Sequence, residues 1–168
     1  MRAAIALGSN LGDRLENLRA ARNAIVHLPG VTPPVLASAM YETEAVDCEP
    51  GAGEFLNAVI EFGYNGSATE LLQTLLELEA SLGRPPNHRR NVSRQLDIDL
   101  LYINDIRLVE GDLQLPHPRM HLRRFVLEPL ADIRPELVLS GQAKSIGQLL
   151  ASVDRSAKVI RLTTDWNS

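Results

Sequence analysis

Residues 78–101, LEASLGRPPNHRRNVSRQLDIDLL, carry three structural instructions in succession. Leu78 and Leu82 finish a helical apolar stripe, and Gly83 is placed to cap it. A stretch stiffened by Pro85-Pro86 then presents Arg84, Arg89, Arg90 and Arg94 without one acidic side chain among them. Residues 96–103 alternate as a strand, with Asp97 and Asp99 on one face and Leu96, Ile98 and Leu100 on the other. Same-face neighbours on a strand lie roughly 6.5–7 Å apart, close enough to converge on one Mg²⁺ or to flank two metals. An isolated D-x-D is a weak motif, because a polar edge strand carries the same pattern. Beside arginines, whose planar forks suit phosphate oxygens, it points to metal-bound polyphosphate.

Working outward, Ser67 and Glu70 form a capping box, followed by the stripe Leu71, Leu75, Leu78, Leu82. Before that helix, residues 55–62 alternate cleanly as a strand. Leu56, Ala58, Ile60 and Phe62 read as the core face, which leaves Phe55 and Asn57 on the opposite face, available to a ligand. Residues 2–7 read as a buried strand entering a turn at Gly8-Ser9-Asn10. Asp13 with Glu16 starts a helix whose face of Leu18, Ala21, Ile25 and Leu28 runs until Pro29-Gly30. Residues 35–43, VLASAMYET, read as one further strand, and 44–54 as a loop. The order is therefore strand-helix-strand-strand-helix-strand. That order is the ferredoxin-like βαββαβ core of an α+β protein, an antiparallel sheet with helices on one face. Beyond it follow a hairpin at 106–115, a Pro-His-Pro turn, helices near 125–133 and 146–153, and a short apolar terminus.

The 168 residues are expected to form a single domain, 1–168, with 45% hydrophobic and 23% charged residues. A formal net charge of −4 argues against electrostatic nucleic-acid binding and makes the local arginine clusters more telling. The second cluster, Arg119, Arg123 and Arg124, lies close to His117 and His121. Cys48 is the only cysteine, which excludes an internal disulfide. With no long apolar run and no charged-then-apolar leader, a cytoplasmic protein without membrane partners is expected. No phosphate-binding G-x-x-x-x-G-K-[ST] loop and no protein-kinase signature set is present.

Six pieces carry a resemblance: LGSNLGDR (7–14), YETE (41–44), FLNAV (55–59), LEASLGR (78–84), RQLDIDLL (94–101) and LPHPRMHLRRFVLEPLADI (115–133). In this order and spacing the chain resembles, over nearly its full length, the 6-hydroxymethyl-7,8-dihydropterin pyrophosphokinases of folate biosynthesis. The resemblance implies transfer of the β,γ-diphosphate of ATP to the pterin hydroxymethyl group, with AMP released. It implies two Mg²⁺ ions on Asp97 and Asp99, and transition-state charge stabilised by Arg84 and Arg94. His117 and Arg123, with Arg90 and Ile98, would contact ATP, the co-substrate. The pterin would stack between Phe55 and Phe125, with Asn57 on its polar edge, Thr43 and Val46 lining the pocket, and Glu79 supporting the site. A monomer binding only small-molecule substrates is expected.

The chain departs from the family pattern at Val92-Ser93, where Gly-Pro is common, and at Pro86, where many members carry an arginine. Glu44 stands where a proline usually follows the threonine, and Phe55 replaces a common tyrosine. Two other classes fit part of the pattern. One is a Mg²⁺-dependent phosphohydrolase using the same aspartates; the other is a non-catalytic ferredoxin-like binding module.

Overall fold

The computed structural model describes residues 1–45, 50–83 and 95–166. Its longest strand, β4 (Phe55–Tyr64), is buried along almost its whole length, because both faces of the sheet are covered. β1 (Arg2–Ser9) pairs antiparallel with β4 on one side and with β5 (Asp97–Ile103) on the other. On its far edge β4 pairs with β2 (Val31–Ala37) and then with β3 (Tyr41–Thr43). The spatial order is β5-β1-β4-β3-β8, in which β8 (Val159–Arg161) is the last strand of the chain. Among the described residues this is the ferredoxin-like α+β arrangement, extended at one edge by β8.

Residues 35–43 are not one strand. A one-residue slip separates Ala37↔Ile60 from Tyr41↔Asn57, and 38–40 bridge the two halves. Ser38 Oγ accepts the Val59 N–H at 2.9 Å, while the Ser38 carbonyl accepts the Trp166 indole N–H at 2.8 Å. The Ala39 N–H goes to Asp132 at 3.1 Å. The backbone groups of the break are satisfied by partners remote in sequence, so local alternation gives no sign of it.

α1 (Arg14–Val26) and α2 (Ala68–Leu82) cover one face, each beginning at a side-chain cap. Asp13 caps the Glu16 N–H, and Ser67 with Glu70 forms the complete capping box. Leu18, Ala21 and Ile25 of α1 and Leu71 and Leu75 of α2 pack on Ile5, Leu7, Ile60 and Phe62. Gly83 ends α2 with φ +144°, a conformation that L side chains rarely adopt.

The two core helices thus share one face, as expected, and the helices of the C-terminal extension lie on the second face. α3 (Arg124–Ile133) and α4 (Ile146–Ser152) bury Val126, Leu127, Leu130 and Ile146 against Ala4, Val59, Leu101 and Tyr102. Leu101 and Tyr102 both reach this face because β5 slips register there: Ile5 pairs Leu100 while Ala4 pairs Tyr102. The small hairpin β6 (Leu108–Glu110) and β7 (Leu113–Leu115) leads into the Pro-His-Pro segment, with a 3₁₀ turn at Met120–Leu122 before α3. No helix among the described residues is long and apolar enough to cross a membrane.

One charge lies inside the second layer. Glu61 is 2% exposed and accepts from Tyr102 Oη at 2.5 Å, Arg134 Nη2 at 2.6 Å and Arg2 Nε at 3.0 Å. Burial pushes its pKa up, but the bonds from Arg134, Tyr102 and Arg2 outweigh that and hold it below its ordinary value.

Candidate active site

Gly8 marks where the sheet brings chemistry together. Its register partners are Asn57 on β4 and Asp97 on β5, and two residues back Ala6 stands between Val59 and Asp99. Gly8 and Ser9 belong to β1 rather than to a turn. Paired residues on adjacent strands share a face, so Asn57, Asp97 and Asp99 all project from the second face. With neighbouring strands about 4.8 Å apart, the amide and the nearer carboxylate flank a floor roughly 10 Å across. Gly8 keeps that floor open: a Cβ there would sit 2.8 Å from Asn57 Oδ1 and 3.6 Å from Phe55 Cδ1.

Asn57 is held in orientation. Its Nδ2 donates to Thr43 Oγ1 at 2.6 Å, and both side chains are buried. The amide oxygen is thereby turned toward the Gly8 floor. Phe55, at the start of β4, is half-buried, as is Phe125 in the first turn of α3. The Arg123 guanidinium lies 5.5 Å from the Phe125 ring centroid, within cation–π range. Thr43, Arg123 and Phe125 line a cleft of about 600 Å³ that Arg119, Lys158 and Val159 also border.

Asp97 and Asp99 are partly buried and face the same way. Among the described residues no cluster of three Asp, Glu, His or Cys forms around a metal position. Two carboxylates of this kind could hold Mg²⁺, which keeps waters and completes its shell with phosphate oxygens. Ile98, between them, is buried against the first-face core. Its N–H donates to Glu79 Oε1 at 2.7 Å, and Glu79 is itself 3% exposed. The α2 carboxylate thus fixes the backbone from which both aspartates project.

His117 is tied to the same strand, its N–H donating to the Leu101 carbonyl at 2.7 Å. Burial first, then the Arg123 and Arg119 cations, push its pKa down to about 4, with Asp97 opposing. The imidazole is therefore neutral near pH 7. Because Nδ1 accepts the Arg119 N–H at 3.2 Å, the ring proton resides on Nε2, which is left as a donor. Arg123 is lowered from its ordinary value by burial, while Asp99 and Asp97 pull the other way. These directions place the cation and the imidazole in the field of the paired carboxylates.

Thr43, Asn57, Phe55, Asp97, Asp99, Glu79, His117, Arg123 and Phe125 thus converge around one end of the sheet. Arg84, Arg90, Arg94 and Val46 lie outside the described residues. Gly8 is not singled out as a site residue by the sequence reading, and Arg119 enters it only as a member of the second arginine cluster. A glycine within an apolar strand, a sign of close backbone approach, was the available signal for the first.

A family model for 7,8-dihydro-6-hydroxymethylpterin-pyrophosphokinase matches residues 4–135. The chain belongs to this pyrophosphokinase family. A Bacillus subtilis protein named 2-amino-4-hydroxy-6-hydroxymethyldihydropteridine pyrophosphokinase is 40% identical over 131 residues, 78% of this chain and 77% of that protein. Like-named proteins of Synechocystis and Methylorubrum extorquens are each 36% identical over 92% of this chain, covering 77% and 95% of their own lengths. Among solved structures, an HPPK-DHPS in complex with substrates superposes with a TM-score of 0.69 at 14% identity over 90% of this chain. The wild-type Plasmodium falciparum HPPK-DHPS with pterin and p-hydroxybenzoate gives 0.63 at 14% identity over 89%. The pyrophosphokinase chain spans 43% and 42% of those two longer chains, and the likeness at that identity bears on fold.

Proposed function

We propose that this protein transfers the diphosphate of ATP to 6-hydroxymethyl-7,8-dihydropterin, in a Mg²⁺-dependent reaction that yields AMP and the pterin diphosphate. The observation that carries this reading is the row Asn57–Gly8–Asp97, an acceptor-recognising amide and a carboxylate facing one open floor. Phe55 and Phe125 stack the flat heterocycle, Asn57 reads its polar edge, and Thr43 and Val46 line the pocket. Asp97 and Asp99 would hold two Mg²⁺ ions, which when bound would supply neutralisation of the phosphate charge. His117 donates from Nε2 to a phosphate oxygen, and Arg123 and Arg90 add cationic contacts to ATP, with Ile98 beside them. Arg84 and Arg94 stabilise the charge that develops during transfer. Glu79 keeps the Asp97-Ile98-Asp99 backbone in place. Positioning and electrostatic stabilisation are what such a transfer requires of a protein.

Residues 1–168 are proposed to form one domain, since β8 joins the main sheet and Trp166 is buried beside it. The protein is proposed to act as a cytoplasmic monomer, with no nucleic-acid or membrane partner.

Incubation of the pterin and ATP with Mg²⁺ is expected to give stoichiometric AMP and pterin diphosphate, resolved by anion-exchange chromatography. Release of ADP or inorganic phosphate at a comparable rate would overturn the reading, and phosphate release would favour a hydrolase. Gly8→Ala offers a sharper check on the acceptor side. The new methyl must displace the Asn57 oxygen that the Thr43 bond holds in place. Loss of one such hydrogen bond corresponds to about tenfold in the KM for pterin. The KM for ATP should barely change, and steady-state kinetics with each substrate varied separates the two.

A further inference from the structure

Residues 157–166 lie beyond the 4–135 matched by the family model, yet they bond to the neighbours of three residues of the candidate site, Thr43, Phe55 and Phe125. Glu44 follows Thr43, Glu54 precedes Phe55, and Arg124 precedes Phe125. The Glu44 N–H donates to the Lys158 carbonyl at 3.0 Å, and the Lys158 N–H donates to Glu44 Oε2 at 3.1 Å. Lys158 Nζ reaches Glu54 Oε1 at 2.7 Å. Arg124 Nη1 donates to the Ala157 carbonyl at 3.2 Å. β8 continues this attachment by pairing Val159 with Thr43 itself.

We infer that the segment around Lys158 is a brace that holds the acceptor wall in place, with Lys158 a positioning residue for pterin binding; this rests on the proposed pterin function. β3 ends at Thr43 and β4 begins at Phe55. Glu44 and Glu54, next to these two strand ends, are both tied to Lys158, which narrows the geometries the wall can adopt. The attachment depends on a backbone donor at position 44. A proline at that position would have no N–H to offer and would remove the attachment. From the other side, Arg14 Nη1 donates to the Glu54 carbonyl at 2.9 Å and Nη2 pairs with Glu42 at 2.8 Å. The Lys158 and Glu54 side chains are 45% and 38% exposed, and an exposed pair contributes little to global stability. Its effect is local. Displacements well under 1 Å in a substrate wall are enough to weaken binding.

Lys158→Ala is expected to raise the KM for pterin about fivefold or more, leaving the KM for ATP and the melting temperature close to wild type. Lys158→Arg should restore the wild-type value, and Glu44→Pro should reproduce the alanine phenotype from the other partner. Without any substrate present, amide hydrogen exchange should accelerate at Phe55, next to the released Glu54, in Lys158→Ala, and at Lys158, whose N–H loses the Glu44 carboxylate, in Glu44→Pro. Unchanged exchange, an unchanged pterin KM, or equal shifts in both KM values would overturn the brace. A wild-type protein that turns over no pterin would instead sink the acceptor assignment, and the exchange measurement would still decide the brace.

Discussion

Asp97→Ala is expected to abolish diphosphate transfer, and Asp97→Asn to reduce it by on the order of 10²-fold or more. Asp97 shares its face of β5 with Asp99, and its register partner Gly8 has no side chain that could take the place of the lost carboxylate. The asparagine variant preserves shape and one carbonyl oxygen while removing the charge, which isolates the electrostatic part of the loss. Asp97 raises the pKa of His117, so removing it leaves that imidazole neutral still, and altered His117 protonation cannot account for the effect. Asp97 is also only partly buried, so melting temperatures should stay near wild type. The measurement is single-turnover formation of AMP at saturating substrates. Near-normal rates in either variant would refute the metal-holding role.

Glu61→Ala is expected to lower folding free energy by about 3–5 kcal/mol, the usual consequence of breaking a buried ion pair from one side. The change strands the Tyr102 hydroxyl and two guanidinium groups that now share one carboxylate. Arg134 is 40% exposed and Arg2 28%, so water recovers part of the loss, and the lower end of the range is expected. Chemical denaturation at pH 7 measures it directly. The acid limb gives a second readout with a definite sign. Because the folded-state pKa of Glu61 is depressed, its contribution is present above the unfolded value of about 4.3 and is lost as pH falls through the folded one. Glu61→Gln should therefore flatten the loss of stability below about pH 4.3 relative to wild type. Turnover at low temperature should survive, since Glu61 pairs with Ala4, four residues along β1 from Gly8. A stability change under about 1 kcal/mol would show that the cluster is a surface-type pair despite its burial.

Elements with local signals were legible. The α1 and α2 caps, the leucine stripe of α2, Gly83 as its stop and the alternation in β4 and β5 all depend on residues a few positions apart. Asp97 and Asp99 could be assigned to one face on strand periodicity alone. The division into β2 and β3 could not be read, because the break is satisfied by Trp166 and Asp132, far along the chain. Nor could the second helical layer. The face of β4 bearing Asn57 and Glu61 looks polar in sequence, but Val59 on it is fully buried and Glu61 is neutralised by arginines at positions 2 and 134.

What the sequence determined by itself was the set of chemical groups and their local presentation: paired carboxylates on a strand, an arginine-rich segment before them, a histidine between prolines. Those follow from side-chain chemistry and from the period of 2 along a strand, neither of which needs a partner. The tertiary structure decided which of these groups meet. Antiparallel register set Asn57 and Asp97 on either side of Gly8, the Thr43 bond turned the Asn57 oxygen toward that floor, and burial near Arg123 and Arg119 kept His117 neutral. Register and burial are properties of strands brought together from distant parts of the sequence, so they exist only once the sheet has formed.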